Sequence, residues 1–264
     1  MIIDAHLHLP AVKKSFTFEK SKRKLLADMR KNRINYAILI PDNLHGSKIG
    51  DLDVCLKLVK NEKKLFLLGT IDIRKDRKAW VDKLDFLLQK KIIKGIKIFP
   101  GHDPIYPTDK RLIDVYKLYV KRNCPIVVHT GWNSNNPEAA KYNDPKYIIK
   151  IAKRFSKLKI VIAHYFWPKV EYCYQITRGV KNIYFDTSAL ADKDVIEKTG
   201  FDIIKRVLEQ SMKDNPESIL FGTDYPMCNF KAHINLVNSL NISKEDKERI
   251  FWKNAAEIFK LKVD

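Results

Sequence analysis

A closed (β/α)8 barrel of the TIM type is the fold this sequence predicts, on three observations. Apolar runs rich in β-branched residues begin near Ile2, Tyr36, Leu65, Ile92, Ile126, Ile160, Ile183 and Ile219. Longer stretches with three- and four-residue apolar spacing separate them, so one strand plus one helix recurs roughly every 30 residues, the length of a βα unit. Polar residues at the C-terminal ends of several strands, distant in sequence, meet most readily if the sheet closes. An open doubly wound sheet alternates in the same way, but eight units in 264 residues favour the barrel. No Gly- or Ser-rich linker divides the series, so one domain is expected over residues 1–264.

Strand one is Met1-Ile-Ile-Asp-Ala-His-Leu-His-Leu-Pro10. Strict alternation puts Asp4, His6 and His8 on one face and Ile3, Ala5, Leu7 and Leu9 on the other. Two imidazoles so placed can close on one cation. Strands two and three start at Tyr36 and Leu65, and the helix after them shows Trp80, Leu84, Leu87 and Leu88 at helical spacing. Strand four, Gly95-Ile-Lys-Ile-Phe-Pro100, carries Lys97. Thr108 precedes a helix with Leu112, Val115, Tyr116 and Tyr119 on its inner face.

Strand five ends at His129 in Val127-Val-His-Thr-Gly131, and Asp144-Pro145 reads as an N-cap followed by proline at the first helical position. Strand six ends at His164 in Val161-Ile-Ala-His-Tyr165. Strand eight ends at Asp224 in Phe221-Gly-Thr-Asp-Tyr-Pro226. Ser243-Lys-Glu-Asp246 resembles a capping box, and the last helix is expected through Ile250, Ala255, Ile258 and Phe259.

Bulk properties narrow the function. Hydrophobic residues make up 45% and charged residues 31%, a globular composition with little room for extended disorder. No apolar run reaches the roughly 18 residues of a membrane span, and the N-terminus lacks a signal-peptide layout, so a cytoplasmic protein without a membrane partner is expected. The four cysteines, Cys55, Cys124, Cys173 and Cys228, form no C-x-x-C pair, which argues for reduced thiols. The charge of +19 invites a nucleic-acid reading. The lysines, however, are spread along the whole chain without an aromatic platform, which disfavours that partner and leaves a basic surface able to draw anionic small molecules.

In a barrel, His6, His8, Lys97, His129, His164 and Asp224 all project toward one pocket. The pattern resembles the amidohydrolase superfamily, in its amidohydrolase-related branch, which includes decarboxylases similar to aminocarboxymuconate semialdehyde decarboxylase. The resemblance rests on Asp4-Ala-His-Leu-His8, Gly95-Ile-Lys97, Val128-His129-Thr-Gly131, Ala163-His164, Phe221-Gly-Thr-Asp-Tyr-Pro226 and Asn254-Ala-Ala-Glu-Ile-Phe259, and covers nearly the whole chain. It implies a divalent ion held by His6, His8, His129 and Asp224, with His164 as catalytic histidine and Asp224 as proton shuttle. Imidazoles and a carboxylate suit zinc, and manganese or iron accept the same set. In binuclear superfamily members a carboxylated lysine on strand four bridges two ions. The branch resembled here works with one, so Lys97 reads as a substrate-carboxylate or Asp-paired ammonium.

The implied reaction is hydrolysis of an amide, lactone or ester-type bond in a small molecule, and the alternative is nonoxidative decarboxylation. Specificity is expected from the βα loops. His102, Trp132, Tyr165, Trp167 and Tyr225 fit pocket walls beside Lys97, although such aromatics also serve as loop packing. A homo-oligomer is compatible with the sequence.

Overall fold

The computed structural model describes residues 1–132 and 136–263. Its strands are β1 Ile3–Leu7, β2 Tyr36–Leu39, β3 Leu65–Leu67, β4 Gly69–Thr70, β5 Ile96–Ile98, β6 Ile126–Val128, β7 Ile160–Ile162, β8 Ile183–Asp186 and β9 Ile219–Leu220. All pair in parallel, as two ladders ordered β1-β2-β3 and β4-β5-β6-β7-β8-β9. β3 and β4 are halves of the third barrel strand, split at Leu68. The first half pairs with β2, and the second with β5.

Backbone bonds link the two ladders at the other seam: Ala5 N donates to Phe221 O at 2.8 Å and His8 N to Tyr225 O at 2.7 Å. The architecture is the expected α/β barrel. Helices fill the intervals between strands, and among the described residues no helix is long and apolar enough to cross a membrane.

Local signals in the chain explain where elements begin. Asp144 caps the helix Pro145–Arg154 by accepting Lys146 N, with the proline at its start. Ser243 Oγ accepts Asp246 N at 3.0 Å, the N-cap half of the expected capping box, and its hydroxyl donates to Asp246 Oδ2 at 2.7 Å. Thr108 is not a cap: Asp109 takes that role for the short turn Lys110–Leu112, which leads into the helix Ile113–Arg122. The strand expected from Ile92 starts only at Ile96. Lys91 is in the left-handed region at φ 56° and Ile92 is exposed, so these residues turn the chain out of the preceding helix.

Two hydrophobic clusters sit on opposite faces of the sheet. Register pairing sets Lys97, Val127 and Val161 side by side on the inner face. Val127 and Val161 pack there with Ile38, Leu68, Leu220 and, from the C-terminal helix, Ala255 and Ile258. On the outer face Ile96, Ile126 and Ile160 meet Leu25, Leu84 and Leu87 of the helices. Each such side chain contributes roughly 1.5–3 kcal/mol when removed from water.

The alternation expected of strand one does not hold along its length. Ile3 and Ala5 belong to the inner cluster, whereas Leu7 and Leu9 belong to the outer one. The pairing with β2 shifts between Asp4 and Leu7, a β-bulge that inserts one residue and turns the following side chains over. Asp4 therefore does not share a face with His6 and His8. It is fully buried and clips β1 to the segment after β9, accepting Thr223 Oγ1 at 2.6 Å, Thr223 N at 3.2 Å and His6 N at 3.0 Å. Burial pushes its carboxyl up to about 7 despite these donors.

Candidate active site

After the bulge, His6 and His8 both point into the barrel mouth. His6 Nδ1 donates to Asp186 Oδ2 at 2.7 Å, and His8 Nδ1 donates to Ile40 O at 2.8 Å. Each ring thereby turns the lone pair of Nε2 to its cavity side. The two Nε2 atoms lie 3.6 and 3.5 Å from Asp224 Oδ1. Asp224 holds a left-handed backbone, φ 66°, fixed by its N–H donating to His6 O at 2.8 Å. Burial opposes ionisation of its carboxyl, but His164, His8 and His6 together outweigh burial and keep it well below the usual carboxylate range.

His164 follows β7 and begins three successive left-handed residues, His164, Tyr165 and Phe166, at φ 61°, 51° and 57°. Such residues cost about 1–3 kcal/mol each and persist only where the surroundings enforce them. Asp186 Oδ1 accepts His164 N at 3.0 Å, and Thr130 Oγ1 accepts Phe166 N at 2.9 Å. The His164 ring lies 4.8 Å from His6 and 4.9 Å from His129, centroid to centroid. Ligand atoms of His6, His164 and Asp224 fall within 4.8 Å of one another. His129 stands one ring further out, 4.4 Å from His102 and edge-on to it. Burial pushes His164 down to about 3 and lowers His6 and His129 as well, so these rings are neutral, the form that binds metal.

Lys97 is buried beneath these rings. Its Nζ donates to His6 Nε2 at 3.2 Å, and burial lowers it to about 8. Two adjoining cavities of about 330 and 320 Å³ share His129, Trp132, His164, Asp224 and Met227 as walls. The first adds His6, His8, Lys97 and His102. The second adds Trp167, Asp192 and Cys228, whose thiol is pushed up by burial. Two larger clefts, about 530 and 600 Å³, contain neither histidine nor cysteine, so size alone does not locate the chemistry.

Two expected pocket walls are placed elsewhere. Tyr165 is fully buried, stacks on Phe185 and shares a 2.6 Å hydrogen bond with Ser211, because its left-handed backbone turns the ring away from the mouth. Tyr225 stacks on Phe230 and donates to Asp28 Oδ2 at 2.6 Å. Both are packing residues. Lys97, His102, Trp132 and Trp167 do line the cavities. Of the loop Trp132–Asn136, residues 133–135 lie outside the described residues. Trp132 N donates to Trp167 O at 3.0 Å, and a Cβ at Gly131, φ 92°, would stand 2.9 Å from that same oxygen.

Asp186 and Ser188 are absent from the sequence expectations, yet Asp186 touches both His6 and His164. The signal was present in Tyr184-Phe-Asp-Thr-Ser188, a polar run at the end of the seventh barrel strand, where five other strand ends carry polar residues.

The amidohydrolase family model matches residues 3–261. The chain belongs to the amidohydrolase family. Among solved structures it is similar to an uncharacterized TIM-barrel protein from Bordetella bronchiseptica, at 19% identity and TM-score 0.78, covering 98% of each chain. It is also similar to 2,6-dihydroxybenzoate decarboxylase from Rhizobium, at 15% identity and TM-score 0.71, covering 98% of each chain. A third is a probable 2-pyrone-4,6-dicarboxylic acid hydrolase from Acinetobacter baumannii, at 12% identity and TM-score 0.70, covering 98% of this chain and 99% of the other. At these identities the likeness concerns the fold. The named reactions differ, so membership of this amidohydrolase family does not fix the bond that is broken. No curated protein matches the sequence.

Proposed function

We propose that the protein is a cytoplasmic, metal-dependent hydrolase that acts, as one domain over residues 1–264, on an amide, lactone or ester-type bond of a small anionic molecule. The observation that carries this reading is the pairing behind the rings: His6 and His8 spend Nδ1 on fixed acceptors while both Nε2 atoms face Asp224 Oδ1. These tethered rings and the carboxylate suit one divalent ion, preferentially zinc, held by His6, His8 and Asp224, with His129, one ring further out, as the fourth ligand. Bound there, such an ion supplies Lewis-acid polarisation of the substrate carbonyl and makes hydroxide available near neutral pH.

The chain's own residues do the remainder. Asp224, whose carboxyl lies well below the usual carboxylate range, takes the proton of the attacking water and returns it to the leaving group. His164, neutral and with a lone pair toward the cavity, orients the attacking water by accepting its hydrogen bond. Lys97 and His102 offer positive charge or donors to the substrate's anionic end, and Trp132 and Trp167 wall off solvent.

A buried ammonium at the cavity wall is equally a seat for a substrate carboxylate, which favours nonoxidative decarboxylation as the second reading, with carbon dioxide leaving and His164 or Asp224 managing the proton at carbon. Metal analysis of protein purified without chelator, followed by a panel of amides, lactones and carboxylic acids, tests both. About one ion per chain with hydrolysis of a panel member is the expected result. Carbon dioxide release without hydrolysis would transfer the assignment to the lyase. His164→Asn should retain the ion and lose turnover by about 10²–10⁴-fold; full activity in that variant would remove the histidine from the mechanism.

A further inference from the structure

Asp186 accepts from four groups at once. Its Oδ2 takes the His6 Nδ1 proton at 2.7 Å. Its Oδ1 takes His164 N at 3.0 Å, Ser188 N at 3.1 Å and the Ser188 hydroxyl in a short contact. An ionised carboxylate only accepts, and a hydroxyl has one proton to give. The Ser188 proton is therefore committed to Asp186, and Oγ has only lone pairs left for its two other neighbours. Those neighbours are His164 Nδ1 at 2.9 Å and His6 Nδ1 at 3.1 Å. Both ring nitrogens must carry hydrogen to meet them. An independent contact agrees: an ammonium only donates, and Lys97 Nζ lies 3.2 Å from His6 Nε2, which must then bear the lone pair.

We propose that Ser188, locked by Asp186, is a positioning residue that sets in His164 the same tautomer that Asp186 sets in His6, so that the Nε2 lone pairs of the two rings face the same cavity. Ser188 is fully buried, as are its partners, so water does not compete for these bonds. The pair also couples backbone to side chain at His164: Asp186 holds the left-handed N–H while Ser188 holds the ring. The carboxylate and the hydroxyl thus prepare, respectively, a ring assigned to metal binding and a ring assigned to catalysis. That consequence rests on the hydrolase reading above, whereas the tautomers themselves do not.

The test is long-range 1H–15N correlation spectroscopy on metal-free protein labelled at histidine, which distinguishes protonated from unprotonated ring nitrogens. In the unmodified protein His6 and His164 are expected to be protonated at Nδ1 and bare at Nε2. Ser188→Ala should leave His164 as a mixture of tautomers and weaken zinc binding by about 10–100-fold. Tyr165→Phe, a control that deletes the buried hydroxyl bonded to Ser211, should leave both tautomers and zinc affinity unchanged, which separates the effect at Ser188 from the loss of a buried hydroxyl in general. Protonation at Nε2 of either ring in the unmodified protein overturns the proposal, whether or not the variants fold. Unaltered tautomers and zinc affinity in a folded Ser188→Ala protein overturn it too. Tautomers as expected in a chain that binds no ion support the positioning role and count against the hydrolase reading alone.

Discussion

The two sides of the barrel mouth carry the same kinds of side chain but hold them differently. On the side formed by β1, β8 and the segment after β9, each imidazole is tied at Nδ1 to a buried acceptor, and Asp224 is tied through its own N–H. On the side formed by β5, β6 and the loops after them, His129 rests against His102 and His164 ring to ring, and His102 rests against Phe99. Hydrogen bonds fix a ring's direction and tautomer, whereas ring packing fixes only its neighbourhood. The first side is built before any ligand arrives. The second can adjust to what enters.

That contrast can be broken at its strongest point first. His6→Ala removes a tethered ring and should abolish ion binding, lowering turnover on the order of a thousandfold or more, the several kcal/mol that Lewis-acid stabilisation supplies. Elemental analysis and kinetics on the folded variant measure both. His102→Ala removes a packed ring from the looser side. Its ion content should stay the same while KM for an anionic substrate rises about tenfold with kcat little changed. Equal loss of metal in the two variants would erase the distinction.

The smallest expected effect sharpens the comparison from behind the loop that carries His102. Burial holds Asp103 up at about 6, against the charge of Arg74, with Asn43 Nδ2 donating to it at 2.7 Å. Because the folded chain keeps this proton to higher pH than the unfolded chain, stability falls as pH rises from about 4 to 6 and does not return above that range. Asp103→Asn, which keeps an acceptor for Asn43, should raise stability at pH 7.5 by about 1–2 kcal/mol and by nothing near pH 3.5. Thermal melts at the two pH values read the difference directly.

The fold was largely legible because it is written in local patterns. Strand positions followed from β-branched runs, and Asp144-Pro145 and Ser243 to Asp246 marked helix starts by chemistry confined to a few residues. The candidate site was legible as far as polar residues at strand ends, which is how His6, His164 and Asp224 came together. What stayed hidden depends on partners far along the chain. The bulge in β1 arises from pairing on both edges, with β2 and with the segment after β9, and no alternation within ten residues reports it. Asp186 and Ser188 gain their role only from His6, 180 residues away in the chain, which meets the carboxylate. Tyr165 and Tyr225 sat in loops of the right composition, yet their hydroxyls are claimed by Ser211 and Asp28.

The contact between Trp132 and Trp167 has a practical side. Two loops that leave different strands share a backbone bond, and the glycine beside it has no space for a side chain against the same carbonyl. At that point the two loops are one unit. Anyone wishing to give this barrel a new appetite by swapping in a foreign loop would have to transplant both halves together, since either one alone arrives without the mate that shapes it.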